Sequence, residues 1–181
     1  LGSIARKITR QASCSVLLLI NPSIERVPCK HIVVNGFDSP QTHETVEAAF
    51  YVGTSLNTEK ITLVEEISES RVAIAVNDDR SLRKATLRKE KIDREEKLRV
   101  TDIVEKIPAT KRDGLKWETQ SIFGRRGYSI GHYARVVRAD LLVMNAQEER
   151  RFYHRFFPRD LEHILAELPT DVLIIHSKSH G

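Results

Sequence analysis

The sequence predicts an α/β protein: a five-stranded, mostly parallel sheet with helices on both faces. Three observations lead there. Short apolar runs alternate with amphipathic helical stretches along the chain. The runs are apolar throughout rather than at every second residue, as in strands buried on both faces. Finally, the chain repeats itself. Residues 2–20 align without a gap on residues 158–176, placing Ile8 on Ile164, Ala12 on Leu168 and Val16-Leu17 on Val172-Leu173. Each copy reads as a short amphipathic helix, a break and an apolar strand. The N-terminal copy therefore reads as the closing piece of one module (residues 1–28), followed by a complete second module (residues 30–181).

Residues 21–30 hold two prolines among polar residues and read as a linker. His31-Ile-Val-Val-Asn-Gly36 is a short apolar run ending in turn chemistry, hence a buried strand. Asp38-Ser39-Pro40 supplies helix-start residues, and 42–56 carries Val46, Ala49, Phe50, Gly53 and Leu56 at helical spacing. Residues 60–64 form the next strand. Residues 71–76 fit either an extra strand or a helix lead-in. A long helix over 81–107 would turn Leu82, Ala85, Ile92, Leu98, Ile103 and Ile107 inward, with Pro108 closing it. Residues 115–122 alternate like a strand near a sheet edge. Gly124 to Gly127 turns the chain into a helix over 128–137. Residues 139–144 are the most apolar strand, and a helix over 159–168 leads into a final strand at 171–175. With right-handed crossovers, ligands of such a sheet sit beyond the carboxyl ends of the strands, where the strand order reverses. That rim holds residues 36–40, with Asp38 and Ser39 as candidates, and residues 145–148.

Composition excludes several classes. The net charge of +4 invites nucleic acid. Yet acids and bases alternate from Asp78 to Arg99, so their fields cancel, and that stretch reads as a solvated helix face. Arg125-Arg126 and Arg150-Arg151 lack the interleaved aromatics of a single-strand binder. No nucleic-acid partner is expected. No apolar run approaches the roughly 20 residues that cross a bilayer, and no secretion leader is evident. Cys14 and Cys29 match no metal motif and suit a reducing compartment, so a cytoplasmic location is expected. His132 has no evident nucleophile partner. His154, His163, His176 and His180 lack metal-ligand spacing, so no metal is expected. Glu148 and Glu149 are adjacent, and adjacent carboxylates rarely converge on one substrate. Trp117 and Tyr128 read as packing residues before base-stacking ones. Phe152, Tyr153, Phe156 and Phe157 form an aromatic cluster that reads as packing, a plug or a partner contact.

The order of these pieces resembles the universal stress protein family in its tandem form. The matching residues are Lys30-His-Ile-Val-Val, Asp38-Ser39-Pro40, Lys60-Ile-Thr-Leu-Val-Glu, Gly127-Tyr-Ser-Ile-Gly-His-Tyr-Ala134, Ala139-Asp-Leu-Leu-Val-Met144 and Leu168-Pro-Thr-Asp-Val-Leu-Ile-Ile. The resemblance covers residues 30–176 and implies a Rossmann-like fold of the adenine-nucleotide alpha-hydrolase type. ATP-binding members carry Gly-x2-Gly-x9-Gly-Ser/Thr after the fourth strand, where bare backbone amides and a helix N-terminus receive phosphate oxygens. The equivalent positions here are Asn145, Glu148, Pro158 and Arg159. A glutamate about 4 Å from a phosphate charge costs roughly 4 kcal/mol at an effective dielectric of about 20, and proline removes an amide donor. Arg150, Arg151 and Arg159 oppose that repulsion. The family's early aspartate is also displaced, with Phe37 in its register and Asp38 one residue later.

The resemblance thus implies a module that has lost ATP binding, needs no cofactor and turns over no substrate. It implies a regulatory role in the stress response, exerted through association and contacts with a protein partner. Gly2-Ser3 fits the end of the ATP motif, so ATP or AMP is expected, if at all, in the module that residues 1–28 would close. Members of the family associate through their last strands, antiparallel. Pairing is therefore expected between Val16, Leu18 and Ile20 on one side and Val172 and Ile174 on the other, within one chain as a pseudo-dimer or between chains as a homo-oligomer. A further possibility is the cytoplasmic tail of a membrane transporter, since such fusions occur in the family.

Overall fold

The computed structural model describes residues 2–25, 27–125, 127–146 and 159–176, with the side chains of 10 and 159–161 excepted. In chain order its elements are α1 (Ser3–Gln11), β1 (Val16–Leu18), β2 (His31–Asn35), α2 (Thr42–Leu56), β3 (Lys60–Ile67), a 3-10 turn (Glu69–Arg71), α3 (Asp79–Glu105), α4 (Ala109–Arg112), β4 (Lys116–Phe123), α5 (Tyr128–Val136), β5 (Leu141–Asn145), α6 (Arg159–Ala166) and β6 (Asp171–Ile175). The sheet has six strands, in the order β1-β6-β5-β2-β3-β4. The five from β2 to β6 are parallel to their neighbours, whereas β1 runs antiparallel to β6. The sequence reading undercounted by one, because β1 joins the same sheet.

Alternate residues of each central strand feed opposite cores, as a pleat of period two requires. Ile32, Val34, Ile61, Leu63, Leu141 and Val143 pack under α2 and α3, together with Val46, Phe50, Val100 and Val104. Val33, Val64, Leu142, Met144, Val172 and Ile174 pack under α5 and α6, with Ile130, Ala134, Ile164 and Leu165. Asp140 pins the base of the sheet: its carboxylate accepts from the amides of Lys30 (2.7 Å) and His31 (2.9 Å), tying the start of β2 to that of β5. Trp117 packs half-buried against the first core from the edge strand β4.

Several boundaries differ from expectation for identifiable reasons. Strand β3 runs three residues past Val64, because the side chains of Glu65 and Glu66 find partners inside the fold. Residues 71–76 form neither strand nor α-helix; a 3-10 turn ends at Arg71 and irregular chain follows. In α3 the buried stripe is Ile92, Glu96, Val100 and Val104, four residues apart. Leu82 and Leu98, expected inward, are 53% and 59% exposed. The helix presents the face on which Glu96 meets Arg71 and Val100 meets the sheet, and this turns Leu98 away. Its start is set by a capping box, in which Asp78 accepts from the Ser81 amide (2.7 Å) and Ser81 returns the contact.

The two copies of the repeat meet side by side. Val16 pairs with Ile174, Leu17 with Leu173 and Leu18 with Val172. Ile20 lies beyond the strand, and its amide donates to the Asp171 carboxylate (2.9 Å) instead of to the ladder. Leu18 packs on the α5–α6 core.

On the second helical layer, Glu66 sits 5% exposed at the start of α5 and accepts from the amides of Gly127 (2.8 Å) and Ile130 (2.7 Å). These are amides that a helix start leaves unpartnered, and the dipole there favours an anion. Gly127 adopts φ 74, a conformation that glycine tolerates without steric cost. Replacing Glu66 by Gln is expected to lower stability by about 1–3 kcal/mol, read from the urea midpoint; an unchanged midpoint would show that the amides do not need the carboxylate. Replacing Leu18 by Lys is expected to free residues 3–20 from the sheet while residues 30–176 stay folded. Amide exchange at Val16, Leu17 and Leu18 would rise to the rate of an unstructured chain, with β2, β3 and β5 still protected.

Candidate functional site

The chain passes from β2 outward to β3 and β4, then returns to place β5 and β6 on the other side of β2. The order therefore reverses between β2 and β5, and the crevice at their carboxyl ends is where a sheet of this kind receives a ligand. One wall is the loop from Gly36 to Gln41; the other begins at Asn145 and Ala146.

On the first wall, Asn35 Oδ1 accepts from the Phe37 amide (3.0 Å), and the Thr42 hydroxyl donates to the Phe37 carbonyl. The Ser39 amide donates to Thr42 Oγ1 (3.1 Å), and the two hydroxyls are also 3.1 Å apart. Ser39 is thus spent on ordering the start of α2. Asp38 lies exposed on the rim, with a carboxylate oxygen 3.8 Å from Arg99.

Arg99 governs this wall. It reaches from the middle of α3, donates to the Gly36 carbonyl (2.5 Å), and makes a tight ion pair with the buried Glu65. Its Nε donates to Glu96 (3.0 Å), which in turn takes Arg71 (2.5 Å). Gly36 has to be glycine: a Cβ there would stand 2.8 Å from Glu65 Oε1 and 3.2 Å from the Val64 carbonyl. Two guanidiniums thus serve three carboxylates across the ends of β2 and β3. Burial pushes the Glu65 carboxyl up to about 8, against the pull of Arg99, with Glu96 and Asp38 adding to the rise. Glu96 is shifted the other way: its hydrogen bonds and charge contacts with Arg71 and Arg99 outweigh its own burial.

On the second wall, Asn145 ends β5 with both carboxamide atoms buried and without a hydrogen-bond partner among the described residues. It is the one member of the anticipated phosphate-loop set whose side chain is described. Glu148 and Pro158 lie outside the described residues, as do the aromatics Phe152, Tyr153, Phe156 and Phe157, and Arg159 is seen only as the first residue of α6. Gly2 and Ser3 are exposed at the start of α1, on the antiparallel edge unit and not in the β2–β5 crevice. Val16, Leu18, Val172 and Ile174 form the β1–β6 ladder, remote from either wall.

Away from the rim, His132 and His163 flank the Tyr128 ring, each with its centroid 6.3 Å away, in a cleft of about 320 Å³ between α5 and α6. No group of three metal-ligating side chains occurs among the described residues. No described helix is long and apolar enough to cross a membrane. Sequence reasoning missed Glu65, Glu96, Arg99 and Arg71. A signal existed in the pair of glutamates that continues an apolar strand without a break, together with a glutamate and an arginine three apart on one helix face.

The raised Glu65 carboxyl has a defined pH consequence. Its folded value of about 8 exceeds the usual carboxylate range, so the folded state holds a proton that the unfolded state has lost. The contribution is fully present below about pH 4.5 and falls as pH rises toward 8. Urea titrations from pH 5 to 8.5 should show this group costing a few kcal/mol across the window, and Glu65→Gln should flatten the slope. An equal slope in both proteins would place the titration elsewhere.

Comparison with known proteins agrees with this architecture. The universal stress protein family model matches residues 29–176. Among solved structures, UspA from Lactobacillus plantarum is 15% identical, with 83% of this chain and 99% of that one covered and a TM-score of 0.55. A universal stress protein in complex with cAMP is 18% identical, covering 84% of this chain and all of that one at a TM-score of 0.52. A putative universal stress protein from Pseudomonas aeruginosa UCBPP-PA14 is 15% identical at a TM-score of 0.59; it covers 97% of this chain, which spans 57% of that one. No curated protein matches significantly. With the model match covering most of its length and the fold agreeing, the chain belongs to the universal stress protein family.

Proposed function

We propose that this chain is a regulatory stress-response domain that works by association and by presenting its rim to a protein partner, without turnover. The observation that carries the reading is the make-up of the crevice. Where the family's ATP-binding members place glycines, the chain has Asn145, Glu148 and Pro158. Across from them, Arg99 takes the Gly36 carbonyl and Glu65 fills the space beside it. A polyphosphate would meet one carboxylate on the loop and compete with others for the rim's guanidinium. In this reading the α1–β1 unit is the closing piece of a tandem module, paired with β6 as a pseudo-dimer, and the protein resides in the cytoplasm.

A second reading keeps nucleotide binding. A relative of the same fold is known in complex with cAMP, and the unpartnered Asn145 carboxamide offers a donor and an acceptor at the crevice. In the tandem form the nucleotide, ATP or AMP, would belong to the module that Gly2 and Ser3 complete, with at most slow hydrolysis there. The same tandem could also serve as the cytoplasmic tail of a transporter. Isothermal titration of the full chain with ATP, ADP, AMP and cAMP separates the readings. The first expects dissociation constants weaker than about 1 mM for all four. Micromolar binding that Asn145→Leu abolishes establishes the second.

A further inference from the structure

The β1–β6 ladder has a symmetry that its residues make explicit. In the internal repeat, Val16 is equivalent to Val172, Leu17 to Leu173 and Leu18 to Ile174. The observed register pairs Val16 with Ile174, Leu17 with Leu173 and Leu18 with Val172. Exchanging the two copies therefore maps the ladder onto itself, which is the signature of an isologous contact with a two-fold axis at Leu17 and Leu173. The surroundings of the two copies do not obey that axis, and the mismatch shows what each copy is built to touch.

Strand β6 has β5 along its far edge, whereas β1 ends the sheet. Ile164 of α6 is 2% exposed, seated where Gly131 of α5 leaves room: a Cβ there would stand 2.7 Å from its Cδ1. Its equivalent Ile8 is 59% exposed on α1. On the opposite face of the sheet, an open cavity of about 610 Å³ runs over Leu17 and Leu173 at the axis. One side of it is closed by Val52 and Leu56 of α2, and no described helix closes the other. Leu17 and Leu19 remain 54% and 49% exposed there. One object satisfies all three vacancies. Rotating the β5–α5 and α2 elements about the axis puts a strand parallel to β1 on its free edge, a small residue over Ile8, and a second α2 across the cavity.

We propose that the β1 edge, Ile8 and the Leu17–Leu19 cavity form one docking surface for a second universal stress module, seated by the two-fold of the ladder. The inference rests on reading α1–β1 as a closing unit. It is independent of whether any nucleotide binds. The occupant's chemistry follows from the operator: an apolar strand of about five residues, a preceding helix with glycine or alanine at the contact, and an aliphatic helix face for the cavity.

The test extends the chain by a copy of itself. Gly2 is equivalent to Pro158, so joining residues 29–157 directly ahead of Gly2 keeps the repeat in phase. Hydrogen exchange is then compared between the chain and the fusion. The expected result is a monomeric fusion in which the free-edge amides of β1 exchange at least tenfold more slowly, with β2 to β6 of the original module unchanged. Gly131→Leu in the added copy should abolish that protection, because the new side chain takes the seat of Ile8. Unchanged β1 exchange beside a folded added copy overturns the proposal. So does a chain that already dimerises alone with those amides protected, since β1 would then pair with β1 of a second copy. An insoluble fusion also counts against it, because the edge would have stayed uncapped. Nucleotide titration of the same fusion reports on the functional reading separately.

Discussion

Two consecutive glutamates hold the helical layers to the sheet. Glu65 and Glu66 stand side by side at the end of β3, so the pleat sends them to opposite faces. Glu65 engages Arg99 of α3, and Glu66 caps the start of α5. A carboxylate this deep is costly unless matched by charge or by oriented amides. Each one therefore requires its helix to stand in a single position, and apolar contacts alone would let it slide. The cores on the two faces are filled by ordinary aliphatic packing; the registers of the helices over them are fixed by these two side chains.

The same pair explains why the rim is closed on one side. Arg99 is drawn toward Glu65 and Glu96, and from that position its guanidinium reaches the last carbonyl of β2. Stability and the chemistry of the crevice are set by the same residues. A family crevice that elsewhere meets a ligand is here furnished with internal hydrogen bonds on one wall and with an unspent carboxamide, that of Asn145, on the other.

Much of the fold was legible because parallel strands buried on both faces leave an unbroken apolar signature. The β2, β5 and β6 runs and the α2 helix fell within one or two residues of their observed bounds. The repeat anticipated that Val16 and Leu18 would lie against Val172 and Ile174, and within-chain pairing is what the sheet contains. The sixth strand escaped the count because three residues with no second neighbour carry little periodicity. The inward face of α3 was misjudged for a different reason. Leucines at helical spacing suggested one stripe, but the helix turns on ion pairs of Glu96 and Arg99, and charge on a helix reads as solvent-facing until its partners are known. The rim network was invisible on the same ground: Arg71, Glu65 and Arg99 are far apart in the chain and meet only once the strand order is fixed.

Gly36 carries a consequence for how this protein can drift over time. Most rim positions in an α/β fold are free to vary, because the strands below them bear the load. At Gly36 even a methyl group would collide with Glu65, disturb Arg99 and loosen the helix behind it. Inherited change at this corner is judged first by whether the chain still folds, and only afterwards by what the crevice admits.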